Sequence, residues 1–97
     1  MYARVARFEG GEAEAIRRNV EGVKSRVDGG PPEGVPAKGM LMLIDPDNGR
    51  TLGITLYDTE DDMRQGDETL GSMNPPDDEM GSRVAVEMYE VGIDVRV

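Results

Sequence analysis

The strongest constraint on the fold of this chain is a pair of strand-like segments joined by one turn. Met40–Ile44 is an unbroken apolar run, and Thr51–Tyr57 alternates between apolar and polar side chains. Between them, Asp45–Arg50 contains a proline, which presets φ, and an Asn-Gly pair, which accepts positive φ at low cost. Two such segments around such a turn predict a β-hairpin.

The first segment of this hairpin carries a second constraint. An antiparallel strand with one face in water normally alternates between apolar and polar residues, and Met40–Ile44 does not. We therefore expect both faces of this strand to be covered. Helices of the same chain can cover one face, and something else must cover the other.

Two elements precede the hairpin. Residues 2–8 form a short apolar-rich segment that ends near a Gly-Gly pair, which predicts a first strand. From Glu12 the apolar spacing changes to three and four residues, which predicts an amphipathic helix. The apolar stripe of this helix consists of Ala13, Ile16, Val20, Val23 and Val27.

Two elements follow the hairpin. A second helix over about residues 59–74 begins at Thr59, a suitable cap, but Gly66 and Gly71 weaken it and leave open whether it is continuous. Residues 83–91 alternate and predict a last strand. We expect the strand to extend past a bulge at Gly92. The residues of that extension are Ile93, Val95 and Val97.

This order of elements is the pattern of ferredoxin-like α+β domains. With it come a Tyr-Ala-Arg-Val opening, an Asp-Asn-Gly-Arg turn into Thr-Leu-Gly-Ile-Thr-Leu-Tyr, and a closing Val-Glu-Met-Tyr-Glu-Val. Over nearly its whole length the chain resembles the dimeric α/β-barrel superfamily, and within it the antibiotic-biosynthesis-monooxygenase-like proteins.

The resemblance implies one ferredoxin-like domain over residues 1–97, of order β-α-β-β-α-β. It would have a four-stranded antiparallel sheet with two helices on one face. The other face would meet the sheet of a second copy, so that the homodimer forms a dimeric α/β barrel. That arrangement would cover both faces of Met40–Ile44, as the residues themselves require.

Three absent residue types limit the chemistry. The chain has no cysteine, histidine or tryptophan, which excludes disulfides, thiolate sites, histidine-ligated haem and histidine general bases. Some relatives of the resembled family oxidise polycyclic aromatic substrates without metal or flavin, and others degrade haem. The tryptophan- and histidine-dependent forms of that chemistry cannot be transferred to this chain. Asp45–Gly49 fails the spacing of a calcium loop. We expect no cofactor and no metal site.

Charge bears on the partners and the location of the protein. The net charge is −9, and Asp58–Glu79 contains nine acidic residues and one basic residue. Such a surface disfavours nucleic acid and anionic membranes as partners. No apolar segment approaches the ~20 residues of a membrane helix, and the first residues lack the pattern of a signal peptide. We expect a cytoplasmic protein.

Polar side chains on the predicted strands form the candidate ligand-binding set. Thr55 and Tyr57 share a face of the third strand, and Glu87 and Tyr89 share a face of the fourth. Arg4 of the first strand joins them if its parity is right. A buried Arg–Glu pair with two phenols suits a small polar or quinone-like ligand. The alternative is that these residues fill the barrel and the dimer interface.

Three functions are compatible with this sequence, and it does not decide whether the protein is an enzyme. The first is a homodimeric monooxygenase-like domain that binds a small molecule weakly or without catalysis. The second is a cofactor-independent oxygenase or isomerase acting on a small aromatic or quinone. The third is an acidic regulatory or interaction module. The expected partners are a second copy through the sheet face and a small aromatic ligand.

Overall fold

The computed structural model of the chain describes residues 1–26, 30–31, 33–72 and 81–95. The predicted β-α-β-β-α-β order is confirmed, and a single 3₁₀ turn, Pro46–Asn48, joins the second strand to the third. The elements are β1 (Tyr2–Glu9), α1 (Ala13–Arg26), β2 (Gly39–Asp45), β3 (Arg50–Tyr57), α2 (Glu60–Ser72) and β4 (Ser82–Glu90).

The four strands form one sheet in the order β2-β3-β1-β4, and every neighbouring pair is antiparallel. It follows that β1 runs parallel to β2, and β3 parallel to β4, with a helix connecting each of these pairs. Such crossovers are right-handed in nearly all proteins, and two of them running in opposite directions place both helices on one face. The architecture is the expected ferredoxin-like α+β fold, with the other face of the sheet open.

The predicted hairpin is confirmed, with a different role for its asparagine. Gly49 has a φ of 67° and its N–H donates to the carbonyl oxygen of Pro46. Asn48 does not take a positive φ. It completes the 3₁₀ turn, and its Nδ2 donates to Asp45 Oδ2 over 2.9 Å. The turn therefore needs only one left-handed residue, and the glycine supplies it.

The two central strands bury one face under the helices. Residues of β1 and β3 that pair in register, such as Arg4 with Thr55, share that face. From α1, Ile16 of the predicted stripe is buried together with Ala15, and Val27 lies outside the described residues. The buried residues of the two central strands are Arg4, Ala6, Thr51, Thr55 and Tyr57.

Strand β2 lies at one edge of the sheet, and the chain covers neither of its faces completely. On the helix side, Met40 and Ile44 remain 38% and 37% exposed. On the open side, Leu41 and Leu43 remain 50% and 49% exposed. The helices pack over the central strands, so the expectation that they cover one face of β2 is met only in part.

Helix α2 runs without a break from Glu60 to Ser72, which answers the question that its glycines left open. Thr59 caps it as predicted, because Thr59 Oγ1 accepts a hydrogen bond of 3.1 Å from the backbone N–H of Asp62. Residues 73 and 74, at the end of the predicted helix, lie outside the described residues. No helix within the described part of the chain is long and apolar enough to cross a membrane.

The predicted extension of the last strand is wrong. Strand β4 ends at Glu90, and Ile93 and Val95 are 84% and 75% exposed; Val97 lies outside the described residues. The neighbouring β1 begins at Tyr2, and beyond β4 the N–H of Val91 donates to Met1 oxygen. The bulge lies between Arg7 and Phe8, where β1 pairs with β4, and not at Gly92.

Gly66 brings α2 close to the sheet. Tyr57 has no exposed surface, and a Cβ atom on Gly66 would overlap its hydroxyl and ring. Gly71 of the same helix has no atom of the described residues within 4 Å of the equivalent position, apart from its chain neighbours and the backbone of its own helix. One glycine therefore serves packing, and the other makes no such contact.

We expect opposite effects from alanine at these two glycines. Gly71→Ala should stabilise the fold by up to about 1 kcal/mol through helix propensity. Gly66→Ala should destabilise it by about 1–3 kcal/mol, because overpacking against Tyr57 exceeds the propensity gain. Urea unfolding of both variants measures the free energies. Equal stabilisation by both would contradict the close packing of Tyr57 on α2.

Candidate functional site

The structure divides the five candidate residues between the two faces of the sheet. Arg4, Thr55 and Tyr57 lie on the helix side, where all three are buried. Glu87 and Tyr89 pair in register with Val5 and Ala3 and lie on the open side. The parity of Arg4, which the sequence left open, places it with Thr55 and Tyr57 and away from Glu87 and Tyr89. The five residues therefore form two separate clusters within one chain.

Arg4 forms its ion pair with α2 and not with β4. Only 4% of the Arg4 side chain is exposed, and its Nε donates to Asp67 Oδ1 over 2.8 Å. The predicted pairing of Arg4 with Glu87 is wrong, because the two side chains project from opposite faces. Glu87 instead contacts Arg7.

Asp67 was missed in the sequence because only apolar residues were used to define the inner side of the second helix. Met63, Gly66, Asp67 and Leu70 are spaced at i, i+3, i+4 and i+7, which is one helical stripe. An acidic residue on such a stripe indicates a buried cation opposite, and the alternate residues of the first strand include Arg4. That combination was a usable signal.

Polar atoms without protein partners surround this ion pair. We name the cluster of Arg4, Thr55, Tyr57 and Asp67 the inner polar cluster. In it, Arg4 Nη2, Thr55 Oγ1 and Tyr57 OH are buried and have no hydrogen-bond partner in the described protein. Buried polar groups in folded proteins are normally paired with protein, water or ligand. The cluster therefore holds a guanidinium nitrogen and two hydroxyls whose hydrogen-bonding capacity is unused within the described protein.

A shallow groove of about 250 Å³ lies beside the inner polar cluster. Its apolar walls are Tyr2, Met63 and Met88, and its polar lining consists of Glu60, Arg64, Tyr89 and Glu90. Tyr2 and Met63 also pack in the core cluster that contains Tyr57. The groove therefore shares two of its lining residues with the packing around Tyr57.

The open face carries an apolar patch that spans the sheet. Leu52, Ile54 and Leu56 lie there, opposite Thr51, Thr55 and Tyr57, as their alternation predicted. Near the hairpin, a concavity of about 350 Å³ is lined by residues of both sides of the sheet, with Arg7, Leu43 and Leu52 from the open side. We name the full set the open-face patch: Ala3, Val5, Leu41, Leu43, Leu52, Ile54, Leu56 and Ala85.

A polar cluster interrupts the open face on its β1–β4 side. Tyr89 OH donates to Glu87 Oε2 over 2.6 Å, and Arg7 Nε lies 3.5 Å from Glu87 Oε1. The hydrogen bond to the carboxylate raises the pKa of Tyr89, because it favours the neutral phenol. We name these three residues the outer polar cluster. They are between 40% and 57% exposed in the single chain.

Acidic residues do not form a metal-binding constellation within the described residues, where no group of three or more suitable ligands lies together. On α2, Glu60 pairs with Arg64, and Asp67 turns inward to Arg4. Residues 73–80 of the acidic segment lie outside the described part.

No family model matches the chain, and a search of the curated proteins gives no match either.

Removing the charge of Asp67 tests the inner ion pair. Asp67→Asn would leave the buried Arg4 guanidinium without a counter-charge, and we expect a loss of about 2–4 kcal/mol in unfolding free energy. Asp61→Asn, on an exposed position of the same helix, should change it by less than about 0.5 kcal/mol. Chemical denaturation measures both. Equal small effects would contradict the importance of the pair.

The titration of Tyr89 tests the outer polar cluster. Glu87→Gln removes the carboxylate, so the pKa of Tyr89 should fall towards the ordinary tyrosine value, as followed by NMR of its ring. Because the hydrogen bond raises the pKa of Tyr89 in the folded state, it stabilises the fold at pH values below the ordinary tyrosine pKa. This stabilisation is lost as the pH rises through the raised pKa. An unchanged Tyr89 titration in Glu87→Gln would contradict the hydrogen bond.

Proposed function

We propose that the chain acts as a homodimer of the monooxygenase-like α/β-barrel type and binds a small aromatic or quinone-like molecule weakly or without catalysis. In this proposal, two open faces stack to form the barrel. The observation that carries it is the open-face patch, an apolar surface across four strands on the side that the helices leave uncovered.

The composition of the open face supports an interface between proteins. Leu41 and Leu43 are each about half exposed in one chain. Full burial of a leucine is worth about 1.5–3 kcal/mol, so half of that remains for each on association. Arg50 and Asp45 pair at the hairpin end of this face, which gives the apolar centre a charged rim. An apolar core with a polar rim is the usual anatomy of protein interfaces.

The edge strand β2 supports the same proposal. Proteins normally protect an edge strand with a charge, a proline or a bulge, and Met40–Ile44 contains neither a charged residue nor a proline. Its pairing with β3 is regular from Gly39 to Asp45. A second copy over the open face would cover Leu41 and Leu43, the exposed side chains that β2 presents there.

The ligand part of the proposal rests on the inner polar cluster and the groove beside it. Arg4 Nη2, Thr55 Oγ1 and Tyr57 OH can each donate a hydrogen bond to a carbonyl or phenolic oxygen. Asp67 balances the charge of Arg4, so a ligand needs no full negative charge. The apolar walls formed by Tyr2, Met63 and Met88 suit an aromatic ring.

The division of the candidate residues favours binding over catalysis. An oxygenase or isomerase that used Arg4, Tyr57, Glu87 and Tyr89 together would need them around one substrate. Glu87 and Tyr89 lie on the other side of the sheet from Arg4 and Tyr57. Only the inner three of the five candidates remain as a single set for one ligand.

A charge in the open-face patch should prevent dimerisation. Leu43→Lys would place an ammonium in the interface, whereas Met88→Lys adds it at a helix-side position of similar exposure, 47% against 49%. The unmodified chain and Met88→Lys should show a melting temperature that rises with concentration, because dimers are stabilised by mass action. For Leu43→Lys the melting temperature should not depend on concentration. A concentration-independent value for all three proteins would contradict the proposed interface.

Removing one hydroxyl should weaken ligand binding at the inner polar cluster. Tyr57→Phe should lower the affinity for a hydroxynaphthoquinone by about 2–10-fold, the value of one hydrogen bond. Thr51→Val removes another buried hydroxyl without a partner, near the hairpin and not in the lining of the groove, and should leave the affinity as it is. Isothermal titration calorimetry measures both. Equal affinity in the two variants and the unmodified chain would exclude Tyr57 from the site.

A further inference from the structure

The open-face patch by itself does not specify how two sheets stack. Its side chains are leucine, isoleucine, valine and alanine, and the hydrophobic effect that would bury them is not directional. An apolar surface without directional contacts can pack against its partner in more than one arrangement. Something besides apolar area must select one arrangement if the homodimer proposed above is unique.

The outer polar cluster has the properties of such a selecting element. Arg7, Glu87 and Tyr89 lie on the same face as the patch, but only on the β1–β4 side of it. The β2–β3 side presents leucine and isoleucine at the corresponding levels: Leu43 and Leu52 beside Arg7, and Leu41 and Ile54 at the level of Glu87. The face is therefore asymmetric.

The internal bonds of the cluster reduce the cost of burying it. Tyr89 donates to one carboxylate oxygen of Glu87, and Arg7 approaches the other, so the carboxylate enters an interface already partnered. In a register that places the partner's leucines on Glu87 and Arg7, without matching polar groups, both charges lose their hydration at a cost in free energy. Registers that give these groups polar neighbours avoid that penalty.

We infer that the outer polar cluster fixes the register of self-association, with a second copy of this chain as the partner that it fits. The open-face patch supplies the affinity, and Arg7, Glu87 and Tyr89 exclude stackings that bury them against apolar side chains. Removing the charges should leave the dimer intact and allow additional registers. This inference rests on the proposed homodimer.

The absence of cysteine in the chain allows a direct test. Single cysteines at Leu41, Leu43, Leu52 and Ile54 are oxidised in turn, and a disulfide between copies forms only where two Cβ atoms lie about 4 Å apart. The resulting pattern of linked positions identifies the register. The pattern is then measured again with Arg7→Met and Glu87→Leu together.

A matched control removes the same two charge types elsewhere. Arg64→Met with Glu60→Leu replaces an exposed ion pair of α2 by methionine and leucine, the residues introduced at Arg7 and Glu87. We expect linkage at one or two of the positions in the unmodified background and in this control. In the Arg7→Met, Glu87→Leu background we expect linkage at more positions and more than one set of amide resonances, at an unchanged dimer mass.

The outcomes separate this inference from the proposal beneath it. An unchanged linkage pattern and a single set of resonances without Arg7 and Glu87 would overturn the inference and leave the dimer standing. Loss of the dimer in that background alone would also overturn it, because the cluster would then supply affinity. A monomeric parent chain would overturn the proposed function together with the inference. Tyr89→Phe with Glu87→Gln repeats the test with smaller changes of shape.

Discussion

A sheet with helices on only one face leaves its second face uncovered, and the side chains on that face must suit whatever contacts it. In this chain the helix side of the central strands is closed by α1 and α2. The open side carries apolar residues on all four strands. In a sheet with one face in water, the residues on that face are normally polar. The open-face patch is apolar instead, and the interpretation of the rest of the molecule depends on this difference.

The closed side is held by two contacts that meet at neighbouring residues of α2. Gly66 lets the helix lie against the Tyr57 hydroxyl, and Asp67 receives the guanidinium of Arg4. The same closeness leaves Tyr57 OH, Thr55 Oγ1 and Arg4 Nη2 buried without partners in the described protein. Packing and polar chemistry are therefore coupled on this side, because adjacent residues of α2 make the two contacts.

Most of the fold could be predicted from local patterns, and the errors have physical causes. The hairpin, the helix cap at Thr59 and the faces of Thr55 and Tyr57 followed from turn chemistry and from strand periodicity. The extension through Ile93 and Val95 was wrong because alternation cannot show where the neighbouring strand begins. The candidate site was predictable residue by residue but not in its grouping. Strand parity across the sheet, and the inward turn of Asp67, decide which side chains meet.

The central claim is that a second copy covers the open-face patch, and its most direct test is the mass of the chain in solution. Sedimentation equilibrium over a range of micromolar concentrations should give about twice the 10.6 kDa of one chain. A mass of one chain throughout that range would contradict the claim, and the apolar face would then require a different partner.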